Sequence, residues 1–131
     1  MQEPIWMDLV DAVVAHDLEL AAHGGSPGIR DEGMLDSALA RARNLWAYSE
    51  QPSLAALAAA YAFGISSNHP FVDGNKRTAL VISFAFLEVN GFNVTATQED
   101  AYRTILSLAA GEINEAQLIE WFSRSTQPPV P

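Results

Sequence analysis

The stretch HPFVDGNKRTAL, residues 69–80, gathers a histidine, a carboxylate and two adjacent cations around an Asp-Gly-Asn turn. Lys76 is the only lysine in the chain, and it stands beside Arg77 where an apolar helical run begins. The first-turn amides of a helix have no intrahelical partners, and the aligned peptide dipoles make that end positive, so bases are disfavoured there. A bound anion removes the conflict by accepting the free amides and pairing with both side chains. Gly74 lets the backbone approach such an anion closely, and phosphate is the obvious candidate. Asp73 then has two readings: an N-cap, or a carboxylate holding a magnesium ion against phosphate oxygens. His69 also has two: a structural histidine, or a base that takes the proton of an attacking hydroxyl. Phe71 reads as a core residue that pins the loop and keeps His69 aimed. Without an anion, Lys76 and Arg77 are solvated residues on an ordinary first turn.

Other chemistries find less support. His16 and His23 lie seven residues apart, two helical turns, so a zinc site shared with His69 is conceivable, but no HExxH is present. A GxSxG turn and a Walker loop are both missing. The absence of cysteine excludes disulfides, thiolate nucleophiles and zinc–cysteine sites.

These residues need a scaffold, and a chain of 131 residues suits one domain with a real core. Apolar residues make up 49% and charged residues 18%, which favours a globular fold over disorder. A net charge of −9 repels phosphate backbones and anionic lipid, so nucleic acid and membrane surfaces are poor partners. The start, MQEPIWMDLV, has none of the features of a signal peptide. The longest apolar runs, residues 54–63 and 79–87, fall short of the ~20 residues needed to span a bilayer. The expected location is the cytoplasm.

The periodicity is helical almost throughout and predicts an all-α domain of about six helices. The first covers residues 7 to about 22, with Leu9, Val10, Val13, Val14 and Leu18 at helical spacing and Gly24-Gly25 as its stop. Residues 24–31, GGSPGIRD, form a loop in which Asp31 caps a second helix, 32 to about 42, with Met34, Leu35, Ala38 and Leu39 facing inward. Arg30 and Asp31 are expected to be structural. Residues 43–52 are less regular. Ser53 caps a third helix, 54 to about 66, apolar on every side and therefore central. The fourth runs from 75 to 89 and stops at Asn90-Gly91. GFNVTAT is an extended link, Thr97 caps a fifth helix ending near Gly111, and Asn114 caps a sixth, 115 to about 123. Ala58, Tyr61, Ala62, Ile65, Leu80, Phe84 and Leu87 are expected in the core. Residues 1–125 form the domain, and residues 126–131, TQPPVP, a proline-rich tail that cannot be helical.

HPFVDGNKRTA resembles the signature of the Fic/Doc family, and of its death-on-curing branch in particular. GGSPGIRDEGMLDSALAR, LAAAYAFGISSNHPFVDGNKRTAL and EVNGF extend the similarity over nearly the whole chain. The resemblance implies an all-helical Fic fold and a transfer of phosphate-containing groups from nucleotides to protein hydroxyls. It implies His69 as general base and Asp73 as magnesium ligand. It makes the backbone at Gly74, Asn75 and Lys76 a phosphate-binding nest, with Arg77 supplying charge to the phosphates. Typical Fic proteins read GNGRxxR and transfer AMP; here Lys76 replaces the second glycine and Leu80 the last arginine. Doc-like proteins share that lysine and are associated with transfer of the terminal phosphate to a threonine of elongation factor Tu. Some Doc-like sequences carry a basic residue two positions before the histidine, where this chain has Ser67. The self-inhibitory Ser/Thr-x-x-x-Glu-Gly/Asn helix of many Fic proteins has no match, TATQED at 95–100 failing at its last residue. Doc-like toxins are held instead by a Phd-type antitoxin whose flexible segment folds on the toxin as a helix.

The expected function is therefore a growth-arresting toxin that uses ATP and Mg2+ to phosphorylate a protein hydroxyl. A nucleotidyltransferase on the same scaffold and a catalytically silent antitoxin-binding module are the alternatives.

Overall fold

The computed structural model describes residues 2–128. Six helices follow one another: α1 (Leu9–His23), α2 (Glu32–Tyr48), α3 (Leu54–Asn68), α4 (Asn75–Val89), α5 (Gln98–Ala109) and α6 (Glu115–Arg124). Two two-residue strands complete the set, β1 (Asn93–Val94) between α4 and α5 and β2 (Thr126–Gln127) after α6, paired antiparallel. The fold is a compact all-α domain.

The centre is α3. Ala58, Ala59, Tyr61, Ala62 and Ile65 are all fully enclosed, because α2, α4, α5 and α6 pack around this one helix. Its small residues let neighbours come close. A Cβ on Gly64 would sit 3.0 Å from both the Ala38 Cα and the Ala38 carbonyl oxygen, so α2 and α3 touch backbone to backbone there. Leu80 and Leu87 of α4 are also buried, whereas Phe84 is only half-buried and faces a surface cleft with Tyr102.

On α2, Leu35, Ala38 and Leu39 are buried as expected, but Met34, expected to face inward with them, is exposed. Three further expectations change. On α1 the buried positions are Ala12, Ala15 and His16, while Val10, Val14 and Leu18 are exposed. Small residues bring α1 close to α4, and the bulkier branched residues are left on the outer face. The helix also starts at Leu9 rather than residue 7, since Asp8 and Asp11 form a reciprocal capping box. Finally, α2 continues through Tyr48. Leu45 and Trp46 pack on the core and Arg43 lies 5.3 Å over the Trp6 ring, so tertiary contacts carry the helix beyond its regular pattern. Of residues 126–131, Thr126–Gln127 form β2 against β1 and Pro128 is in no helix; residues 129–131 lie outside the described residues.

Candidate functional site

The link between α3 and α4 is built around two left-handed residues. His69 ends α3 with φ 48° and ψ 54°, and Gly74 opens α4 with φ 78° and ψ 18°. Left-handed backbone is ordinary for glycine but costs a histidine energy. The strained position is held from several sides. The Arg30 side chain donates from Nε to the His69 carbonyl at 2.6 Å and from Nη2 to the Asn68 carbonyl at 2.8 Å. The amides of Arg30 and Asp31 donate to the Pro70 carbonyl, and the Val72 amide donates to Gly28. GIRD is thus a brace for the link, and Asp31 also caps α2 through the Met34 amide.

Phe71 and Asn75 close the loop from within. Phe71 is buried, and its amide donates to Asn75 Oδ1 at 2.9 Å while Asn75 Nδ2 donates to its carbonyl at 3.0 Å. Both polar ends of the Asn75 side chain are therefore spent on loop structure.

One concave surface of about 580 Å³ is lined by His69, Asp73, Gly74, Asn75, Lys76 and Arg77, with Gly24, Gly25, His23 and Tyr102 opposite. The link thus brings all six residues expected at the site into one cleft. The His69 ring is exposed, and neither nitrogen has a hydrogen-bond partner among the described residues. A base in that state can take a proton from a hydroxyl brought to it.

The helix start beside it is unusual in this protein. Side chains cap the other five helices: Asp8, Asp31, Ser53, Thr97 and Asn114. No side chain caps α4. Its first internal hydrogen bond runs from the Thr78 amide to the Gly74 carbonyl, so the amides of Asn75, Lys76 and Arg77 stand at the free positive end. Lys76 is half-buried with no carboxylate within salt-bridge distance among the described residues. The Arg77 guanidinium lies 4.3 Å over the Tyr102 ring, and its Nη1 is 3.5 Å from His23 Nε2, which also lies 3.3 Å from a Glu19 carboxylate oxygen.

Asp73 is not the N-cap of α4, which is Gly74. Its Oδ1 accepts the Gly74 amide at 2.9 Å and its Oδ2 the Ser26 amide at 3.2 Å. Each carboxylate oxygen keeps acceptor capacity after one such bond. The described residues contain no group of three or more His, Asp or Glu able to cage a metal. Asp73 fits a hard cation that takes its remaining ligands from phosphate and water, the usual manner of magnesium. The zinc arrangement fails, because His16 is buried against Phe71 and does not meet His23 or His69.

Sequence patterning missed the part that three residues play at the link. His16 is hidden by its position on a helix whose obvious apolar stripe turned out to be the outer one. Tyr102 reaches Arg77 from α5, 25 positions away in sequence. Gly25 lies against Asp73, where a Cβ would come within 2.9 Å of Oδ2; in the sequence, its place beside Gly24 reads only as a helix stop.

The comparisons with known proteins agree with this architecture. A family model described as the Fic/DOC family matches residues 6–87. The chain is 32% identical over 114 residues to the "Protein kinase doc" of Escherichia phage P1, covering 87% of this chain and 90% of that relative. It is 37% identical over 92 residues to the "Toxin Doc" of Mycolicibacterium smegmatis, covering 70% of this chain and 68% of that protein. With the motif loop, the helical scaffold and both relatives in agreement, the chain belongs to the Fic/Doc family.

Proposed function

We propose that the protein is the toxin of a toxin–antitoxin pair and that it transfers the terminal phosphate of ATP to a hydroxyl of a protein target. The observation that carries this reading is the uncapped start of α4, with Lys76 in its first turn and an unpartnered His69 in the same cleft. The naming of the phage P1 relative as a protein kinase supports it. The acceptor oxygen attacks the terminal phosphorus, the bond to the ADP oxygen breaks, and the acceptor proton goes to a His69 ring nitrogen. The amides of Asn75, Lys76 and Arg77 bind phosphate oxygens, and the two side-chain cations offset charge on the migrating group. Asp73 would hold magnesium, which when bound neutralises charge on the phosphate oxygens.

The target hydroxyl is proposed to be a threonine of elongation factor Tu, which places the site of action in the cytoplasm and the outcome at translation. Consistent with action away from a bilayer, no helix among the described residues is long and apolar enough to cross one. The antitoxin is proposed to be of the Phd type, its helix lying on the apolar stripe that α1 leaves exposed, Val10, Val14 and Leu18 at i, i+4 and i+8.

Intact-mass measurement of elongation factor Tu after incubation with the protein, ATP and magnesium tests the reaction. One added phosphate is expected, and none with His69→Ala. An added adenylyl group would overturn the reading in favour of nucleotidyl transfer; an unmodified target would remove elongation factor Tu as substrate. Lys76→Gly should lower the rate about a hundredfold, the usual effect of losing one well-placed charge donor, ~3 kcal/mol.

A further inference from the structure

His16 takes no part in the chemistry above, yet it is among the few polar side chains buried in this protein. Its ring stacks on Phe71 with centroids 3.9 Å apart and planes 8° from parallel. Its Nε2 lies 2.7 Å from the Asp73 carbonyl oxygen, so that nitrogen carries the proton and donates. The Gly74 Cα is close enough that a Cβ there would lie 3.7 Å from the ring. One imidazole thus touches the anchor, the carboxylate-bearing residue and the residue that opens α4.

We propose that His16 is a positioning residue for the phosphate-binding turn, acting through the Asp73–Gly74 peptide. The peptide is planar, so fixing the direction of the Asp73 carbonyl fixes that of the Gly74 amide on its other side. That amide is the one Asp73 Oδ1 accepts, so the hydrogen bond from His16 orients the carboxylate as well. The chain just past that helix grips Asp73 a second time, because the loop leaving α1 presents the Ser26 amide to Oδ2. Asp73 is therefore held by its backbone from within α1 and by its carboxylate from just beyond the end of α1. The contact with Phe71 fixes the ring plane, which is what makes the donor direction definite. Groups that orient a functional carboxylate or imidazole in this way commonly change affinity or activity ten- to a hundredfold when removed. The inference rests on the phosphate-binding reading of the α4 start.

Two variants separate the hydrogen bond from the packing. His16→Phe keeps a ring against Phe71 and removes the donor. His16→Gln keeps an N–H near the position of Nε2 and removes the ring. Thermal melts establish that both fold, and ADP titration with magnesium reads the site without turnover. For His16→Phe we expect ADP to bind at least tenfold more weakly, with the amide resonances of Gly74, Asn75 and Lys76 displaced and those of α6 unmoved. His16→Gln should recover most of the affinity despite melting lower. Unchanged ADP affinity and unmoved Gly74 to Lys76 resonances in His16→Phe would overturn the proposal, as would affinities that follow melting temperature alone. If the unaltered protein bound no ADP, the phosphate-binding reading would fail by itself, while the Gly74 resonance would still report whether His16 orients the turn.

Discussion

His69 occupies left-handed backbone, where glycine would be at ease, and does so with an exposed ring that bonds to nothing nearby. Nothing in the packing of the described residues calls for an imidazole there, as expected if His69 has the proton-accepting role proposed above. Left-handed geometry costs a residue with a Cβ about 1–2 kcal/mol, while glycine adds roughly 0.5–1 kcal/mol of unfolded-chain entropy. By these costs His69→Ala, which keeps the Cβ and the strain, should be about as stable to urea as the unaltered protein, and His69→Gly should be more stable than either by up to about 1 kcal/mol, with both variants inactive. A glycine variant markedly less stable than the alanine variant would show that the backbone is not strained as described. Arg30 illustrates the opposite balance. Its guanidinium serves two carbonyls at the end of α3, where a cation is favoured. Arg30→Ala should cost about 1–3 kcal/mol through two charge-assisted hydrogen bonds, while ADP affinity stays within about threefold. A large affinity loss at unchanged stability would move Arg30 into the binding site.

Elements place these residues, and their legibility in the sequence was uneven for physical reasons. The caps Asp31, Ser53, Thr97 and Asn114 were readable because each is a short polar side chain directly before a periodic run, and each accepts the expected N3 amide. The motif link was readable because Lys76 and Arg77 contradict the helix dipole, and a contradiction of a local rule is a signal in itself. The orientation of α1 was not readable. Counting apolar side chains favours Val10, Val14 and Leu18, whereas the fold selects Ala12, Ala15 and His16, since closeness to α4 matters more than side-chain volume. The end of α2 was missed because Leu45, Trp46 and Arg43 find their partners only in three dimensions. Gly64 shows how closely these helices meet. Replacing it with alanine gains about 1 kcal/mol of helix propensity, but the new methyl meets the backbone of Ala38, which cannot step aside as the Arg41 side chain can. Overpacking costs about 1–3 kcal/mol and should win. Gly64→Ala is expected to be destabilised by up to about 2 kcal/mol in urea unfolding, and a stabilised variant would mean that α2 and α3 can separate without loss.

The whole molecule is closed by its first residues as much as by its core. Residues before α1 run extended across α3 and α4, where Asn90 exchanges two hydrogen bonds with the backbone of Ile5 and Trp6 stacks on Phe86. Tyr61 holds the same strap from the centre of the protein. Its hydroxyl accepts the Met7 amide at 3.0 Å and donates to the Met7 carbonyl at 3.3 Å. Burial, reinforced by Asp11 and Asp8 nearby, pushes its pKa from 10.0 up to about 12. The sign of the linkage follows from that direction. Below pH 10 both folded and unfolded chains keep the phenol proton, so its contribution is fully present. Between pH 10 and 12 the unfolded chain releases the proton and the folded chain does not, so stability falls as pH rises. The slope contributed by one such group approaches about 1.4 kcal/mol per pH unit, to a ceiling of about 2.7 kcal/mol. Tyr61→Phe should be less stable at pH 7 by about 1–3 kcal/mol, because the Met7 amide and carbonyl lose their buried partner. The gap between the two proteins should then narrow as pH rises from 10 to 12, since only the tyrosine form has a proton to lose there. Urea unfolding of both proteins across that range is the measurement, and a gap that stays constant would show that Tyr61 ionises as freely in the folded protein as in the unfolded chain.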